Sequence, residues 1–109
     1  MHKINIKPLS VNEAWQGRRF KTPKYNRYIN DILLTLPKLD LQFDKIQLDL
    51  KFGLSNKNAD IDNPVKCFVD CLQKKYGFND RLIYKMVVEK IDVKKGDEFI
   101  EFKIKQIDK

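Results

Sequence analysis

The stretch NADIDNPVKCFVDCLQKKYGFND, residues 58–80, carries three acids and a lysine whose types suit metal-assisted phosphodiester chemistry. Asp60 and Asp62 are two apart, so in an extended segment both carboxylates point one way while Ile61 turns to the core. Lys66 follows four residues after Asp62, within reach of the same spot once a helix begins. Asp80 lies beyond a helix-like run of about a dozen residues, about 18 Å at the helical rise, so it joins the pair only where the chain folds back. Clustered carboxylates raise one another's pKa unless a cation sits between them. Mg²⁺ takes oxygen ligands, commonly one or a few carboxylates, and keeps water and substrate phosphate in its other positions. Such an ion activates water and neutralises charge on a phosphodiester, leaving Lys66 to stabilise the phosphorane or the leaving oxygen. A plainer role fits the same residues: Asp62 or Asn63 as a helix cap, and Asp62, Lys66 and Asp70 as a solvated ladder of ion pairs. Spacing leaves both roles open.

The surrounding pattern indicates what must position these groups. HKINIK alternates as a strand and stops at Pro8, and SVNEAWQGRRFKT is rich in turn formers and reads as a long loop. Thr22 as N-cap and Pro23 in the first turn open a helix through Tyr25, Tyr28, Ile29, Ile32, Leu33 and Leu36, ending before Pro37. Ile46, Leu48, Leu50 and Phe52 alternate with polar residues as a half-covered strand, and 53–58 reads as a polar loop. Asn63 as N-cap and Pro64 as first residue start a second helix burying Val65, Phe68, Val69 and Leu72, with Gly77 at its end. Strands are expected over about 83–93 and 99–105, joined by a turn at Lys95, Gly96 and Asp97. The order β-α-β-α-β-β predicts a single α+β domain over 1–109, an α/β sandwich with two helices on a mixed sheet.

Composition narrows the partners. The chain has 22 Lys plus Arg against 15 Asp plus Glu, a net charge of +7, and apolar residues at 42%. That mix folds, and its charge favours anionic partners such as nucleic acid or acidic lipid. Arg18, Arg19 and Lys21 form a basic group in the first loop, and Lys57 stands just ahead of the acidic pair; phosphates would attract all four. Trp15 either stacks on an opened base or pins the loop to the core, and the core is the commoner fate of a lone Trp. Asn12 either fixes that loop or reaches the acids. Cys67 and Cys71, four apart on one helix, are expected as buried, reduced thiols, because two thiols and the terminal His2 make a poor metal set. No apolar run approaches a membrane span and MHKINIKPLS lacks a signal-peptide core, so the expectation is a cytoplasmic protein with no membrane partner.

"ADIDNPVKCFVDCL" followed by "KYGFNDRLIYKMVVEK" resembles the D-x-D-N-x-x-K segment, the F-D-x-L helix and the D-D-x-Q-V turn and strand of the RusA family of Holliday junction resolvases, especially its phage-type members. "SVNEAWQGRRFKTPKYNRYI" is similar to the family's N-terminal loop and first helix. By this resemblance Asp60, Asp62 and Asp80 match the metal-binding carboxylates and Lys66 the catalytic lysine. It implies a Mg²⁺-dependent endonuclease, with Mn²⁺ able to substitute. It also implies a homodimer that resolves four-way DNA junctions by paired nicks during recombination and repair in the cytoplasm of a bacterial host, prophage-encoded copies included. Asn12, Asn63, Asp70 and Asn79 stand as supporting residues. Two positions depart from the family pattern. Asn79 replaces one acid of an acidic pair, which bears on a second metal site, and "RLI" stands where a small residue, Gln and Val are usual. Two other classes remain to be separated from a nuclease by experiment: a non-catalytic nucleic-acid-binding module of the same fold, and a small adaptor that binds neither DNA nor divalent ions.

Overall fold

The computed structural model describes residues 1–16, 20–40 and 44–107. Along the chain it runs β1 (His2–Ile4), α1 (Val11–Ala14), β2 (Trp15–Gln16), β3 (Phe20–Lys21), α2 (Pro23–Thr35), β4 (Ile46–Leu54), α3 (Val65–Tyr76), a 3-10 turn (Asp80–Leu82), β5 (Ile83–Asp92) and β6 (Phe99–Gln106). The alternating apolar residues of β4 place it inside a four-stranded sheet of order β1-β6-β4-β5, antiparallel to β6 and parallel to β5. Ile46, Leu48, Leu50 and Phe52 are buried beneath the helices together with Ile100 and Phe102 of β6. The opposite face is polar: Gln47 donates to Asp49 at 2.7 Å, and Lys105 pairs with Asp49 at 2.9 Å. Two layers result, an α+β sandwich as the pattern predicts.

Each long helix buries one stripe. α2 offers Tyr25, Tyr28, Ile29 and Ile32, and its start is capped by the Thr22 hydroxyl, which accepts from the Tyr25 N–H. α3 offers Cys67, Phe68, Val69, Cys71 and Leu72 and ends on Gly77, whose φ of 73° is the left-handed conformation that closes a helix without a Cβ penalty. Both thiols are buried and free, and burial first pushes Cys67 up to about 11 and Cys71 to about 12.

Three local expectations need correction. The first loop is built: Ser10 caps the one-turn α1, and β2 and β3 form a small antiparallel ribbon. β4 continues through Gly53 and Leu54 instead of stopping at Phe52, because Gly53 sits opposite Phe99 and the ring lies where a side chain would go. α3 starts at Val65, with Pro64 at the cap position and no side-chain cap bond, so Asn63 is not its N-cap.

The β4-α3-β5 crossover sets the positions of the acids. Since β4 and β5 are parallel, α3 must run back between them. Residues 60–64 therefore lie at the C-terminal ends of the two strands, and residues 79–82 at their N-terminal ends.

Candidate active site

Asp60 and Asp62 do not lie on an extended segment. Residues 61–64 form a turn, closed by bonds from the Asn63 N–H to the Asp60 carbonyl and from the Val65 N–H to the Asp62 carbonyl, each 3.2 Å. Ile61 is consequently 46% exposed and does not turn to the core. The turn is tied to the neighbouring layer through the Asn63 carbonyl, which accepts from the Val11 N–H at 2.9 Å. From its other side, Lys90 Nζ donates to the carbonyls of Lys57, at 2.9 Å, and Ala59, at 2.7 Å. Lys90 thus braces the loop that delivers Asp60, a role with no local signal in the sequence because the two partners are 31 and 33 residues apart along the chain.

An open cavity of 560 Å³ runs between α3 and β5. Its floor is apolar, from Ile61, Val65, Val69, Ile83, Met86 and Val88, and its polar residues are Asp62, Lys66 and Asp80. The two acids stand towards opposite ends of this groove, for α3 alone is 12 residues, about 18 Å at the helical rise. The expected return of Asp80 onto the Asp60 and Asp62 pair is therefore not made within one chain: the strand after α3 leads away from Asp80 towards the pair, and does not bring Asp80 with it. Among the described residues no three His, Cys, Asp or Glu side chains group closely enough to hold a metal ion.

Lys66 is on the exposed side of α3 and pairs with Asp70 Oδ1 at 3.3 Å. The second oxygen, Asp70 Oδ2, accepts from the Tyr25 hydroxyl at 3.1 Å. Burial, and next the Asp70 charge, raise the Tyr25 hydroxyl above its usual pKa, so it stays a donor. Asp70 is thus more than a helix-surface residue; it is an anchor for Lys66 held from the second helix. Asn79 caps the 3-10 turn, its Oδ1 accepting from the Arg81 N–H at 3.0 Å, which fixes the backbone that presents Asp80.

Of the basic residues, Arg18 and Arg19 lie outside the described residues. Lys21 is exposed, with Nζ 5.5 Å from the centre of the Tyr25 ring. Its pKa is lowered, first by the neighbouring Lys74 ammonium and then by partial burial, against the attraction of Asp70. Lys57 is exposed at the loop leading to Asp60. Asn12 and Asn63 share a second, more polar cavity of 390 Å³ with Asn56 and Asn58, next to the acid-bearing turn. Trp15 packs on the core, edge-on to Tyr25 with ring centres 5.7 Å apart.

A family model described as Endodeoxyribonuclease RusA matches residues 9–105. No curated protein sequence matches the chain. No helix among the described residues is long and apolar enough to cross a membrane.

Proposed function

The chain belongs to the RusA endodeoxyribonuclease family, and from that premise we propose that it is a Mg²⁺-dependent, structure-selective endonuclease that resolves four-way DNA junctions as a homodimer. The carrying observation is local: Asp60 and Asp62 share one turn, and Lys66, one helical turn on, lines the same cavity as Asp62. Two neighbouring carboxylates at an otherwise basic surface fit a hard cation, which is ordinarily bound by one or two carboxylates with water and phosphate oxygens beside them.

Asp60 and Asp62 would hold Mg²⁺, with Mn²⁺ as an alternative, and Asp80 is assigned to the same acid set. When bound, the ion supplies Lewis acidity to the scissile phosphate and lowers the pKa of a bound water. Lys66 supplies positive charge to the phosphorane or the leaving oxygen, held in range by Asp70 and Tyr25. Lys90, Asn63 and Asn79 keep the two acidic turns in place, and Asn12 borders the site from α1. Lys21, drawn close to Lys74, offers paired cations suited to a backbone phosphate, and Arg18, Arg19 and Lys57 are assigned to the same contact. A two-fold axis in the enzyme would match the two opposed strands that a resolvase must nick.

The deciding experiment incubates the full chain with a synthetic four-way junction, a fork and linear duplex, with and without Mg²⁺, and maps nicks on each strand. Symmetric nicks in the junction, dependent on Mg²⁺ and lost in Asp62→Asn, are expected. Full cleavage by Asp62→Asn discards the residue assignment. Salt-sensitive binding with no cleavage replaces the nuclease by a non-catalytic DNA-binding module.

A further inference from the structure

The turn at 61–64 stands between two cavities. Asp62 lines the groove along β5, whereas Asn63 and Pro64 line the polar cavity of 390 Å³. That second cavity is also lined by Ser55, just after β4, and by Glu98, just before β6. The antiparallel pairing of these strands, which ends with Gly53 opposite Phe99, brings the two residues together.

The Glu98 carboxylate is fixed at both oxygens. Oε2 accepts from the Ser55 hydroxyl at 2.7 Å, and Oε1 accepts from the Gly96 N–H at 2.7 Å. The Ser55 bond first, and then backbone N–H groups and the charge of Lys7, hold the carboxyl below the usual carboxylate range. It is therefore an anion that can only accept, and each oxygen has a further lone pair. In a chain of net charge +7, a rigid carboxylate beside the acid-bearing turn repels phosphate and attracts an N–H group. Asn56 and Asn58 line the same cavity. Asn56 Oδ1 accepts from the Asn58 N–H at 3.0 Å, so the Asn56 side chain keeps its NH₂ group as donor. A fixed acceptor with amide donors nearby complements a base edge that carries an amino group next to a ring acceptor. Thymine is the one DNA base without an exocyclic amino group.

We propose that this cavity is a nucleobase subsite: Glu98, positioned by Ser55, accepts a hydrogen bond from the exocyclic amino group of a base unstacked next to the scissile phosphate, and so selects against thymine. Unstacking costs least where pairing is already disturbed, as at a branch point. The inference rests on the nuclease reading and adds to it a base selectivity with a location in the fold.

The test uses a four-way junction with the three nucleotides on each side of the branch point randomised. Nicked strands are sequenced after incubation with the full chain in Mg²⁺, and the protein-bound fraction of the same pool is sequenced in Ca²⁺. Thymine is expected to be depleted about tenfold at one position, the scale of one good base contact. Glu98→Gln, whose amide both donates and accepts, should bring thymine close to parity with the other bases there. Ser55→Ala, which releases the carboxylate, should shrink the depletion to about threefold, and Ser55→Thr, which keeps the hydroxyl, should preserve it. Thymine selected as often as the other bases by wild type overturns the proposal, as does a preference unchanged in Glu98→Gln or a change spread over every position. Ca²⁺ bound without DNA and lost in Glu98→Gln also overturns it and makes the cavity a cation site. If Glu98→Gln fails to fold, Ser55→Ala decides. A bound pool depleted of thymine in this Glu98-dependent way, with no strand nicked in Mg²⁺, sinks the nuclease reading and keeps the subsite; nicks indifferent to the base do the reverse.

Discussion

Lys66 and Asp70 form a 3.3 Å ion pair one turn apart on α3, and the acid of that pair is held from behind by the Tyr25 hydroxyl at 3.1 Å. The arrangement separates two jobs. Lys66 borders the groove and can reach a phosphate, whereas Asp70, with its side chain only 24% exposed, is committed to holding it. Lys66→Ala is accordingly expected to lower the single-turnover cleavage rate of a four-way junction about 100-fold or more, the scale of losing one charge-stabilising donor. Asp70→Asn should cost about tenfold, by loosening the lysine and not by removing it. The loss should appear in kcat with KM little changed, and Lys66→Arg should recover part of the rate. If Asp70→Asn instead raises KM alone, Asp70 contributes to DNA binding and the positioning role is wrong.

Gly53 and Phe99 are opposite each other across β4 and β6, and a Cβ on Gly53 would come within 2.4 Å of the Phe99 ring. The ring lies over Gly53 on the open face of the sheet, only 9% exposed and with Lys3 Nζ 4.7 Å from its centre, and has little room to yield. Gly53→Ala is expected to destabilise by about 1–3 kcal/mol, the usual cost of overpacking. The double variant with Phe99→Leu should recover most of what the alanine alone loses relative to Phe99→Leu. Urea denaturation of the four proteins gives the coupling directly, and additive effects would show that the ring is not the obstacle.

That glycine also shows where reading by pattern stops. The alternation through Ile46, Leu48, Leu50 and Phe52 marked β4 because one covered face imposes it, and Thr22 with Pro23 marked the start of α2 through local capping chemistry. Gly53 looked like a loop since nothing local shows that a ring from residue 99 fills its missing side chain. The ribbon of β2 and β3 is held by only two register pairs, too few to leave an alternating signature. Contacts such as Tyr25 with Asp70 and Lys90 with Ala59 join elements far apart in sequence and have no local signal. The acids were legible by type and by resemblance, but their placement relative to one another was not. Spacing gave the length of α3, while the placement of Asp80 depends on the direction of β5, which only the parallel pairing with β4 settles.

Asp49 lies on the open face of the sheet, and its carboxyl is held below the usual carboxylate range, first by the Gln47 amide and next by the Lys105 ammonium. A pKa lower in the folded than in the unfolded state means that the unfolded chain binds more protons in the acid range. The contribution of Asp49 is therefore present above the unfolded value, about 3.9, and is lost as pH falls from there through the folded value. Urea midpoints measured down to about pH 2.5 should fall less steeply with acid in Asp49→Asn than in wild type. Equal slopes in the two proteins would mean that the Gln47 and Lys105 bonds do not hold the carboxylate in solution.

The placement of Asp62 and Asp80 towards opposite ends of one groove makes a subunit-mixing experiment informative. If a cleavage site used both acids of the same chain, a heterodimer of Asp62→Asn with Asp80→Asn would contain two damaged sites, one for each substitution. If each site combines the Asp62 turn of one subunit with Asp80 of the other, one site of the heterodimer carries both substitutions and the other carries neither. Each variant alone should then fail to cleave a four-way junction in Mg²⁺, and an equal mixture, equilibrated before the DNA is added, should nick one strand per junction. Half the dimers in such a mixture are heterodimers with one intact site, so about a quarter of the wild-type number of sites is expected to return if exchange is complete. No activity from a mixture shown by mass to exchange subunits would assign Asp62 and Asp80 to separate duties within one chain.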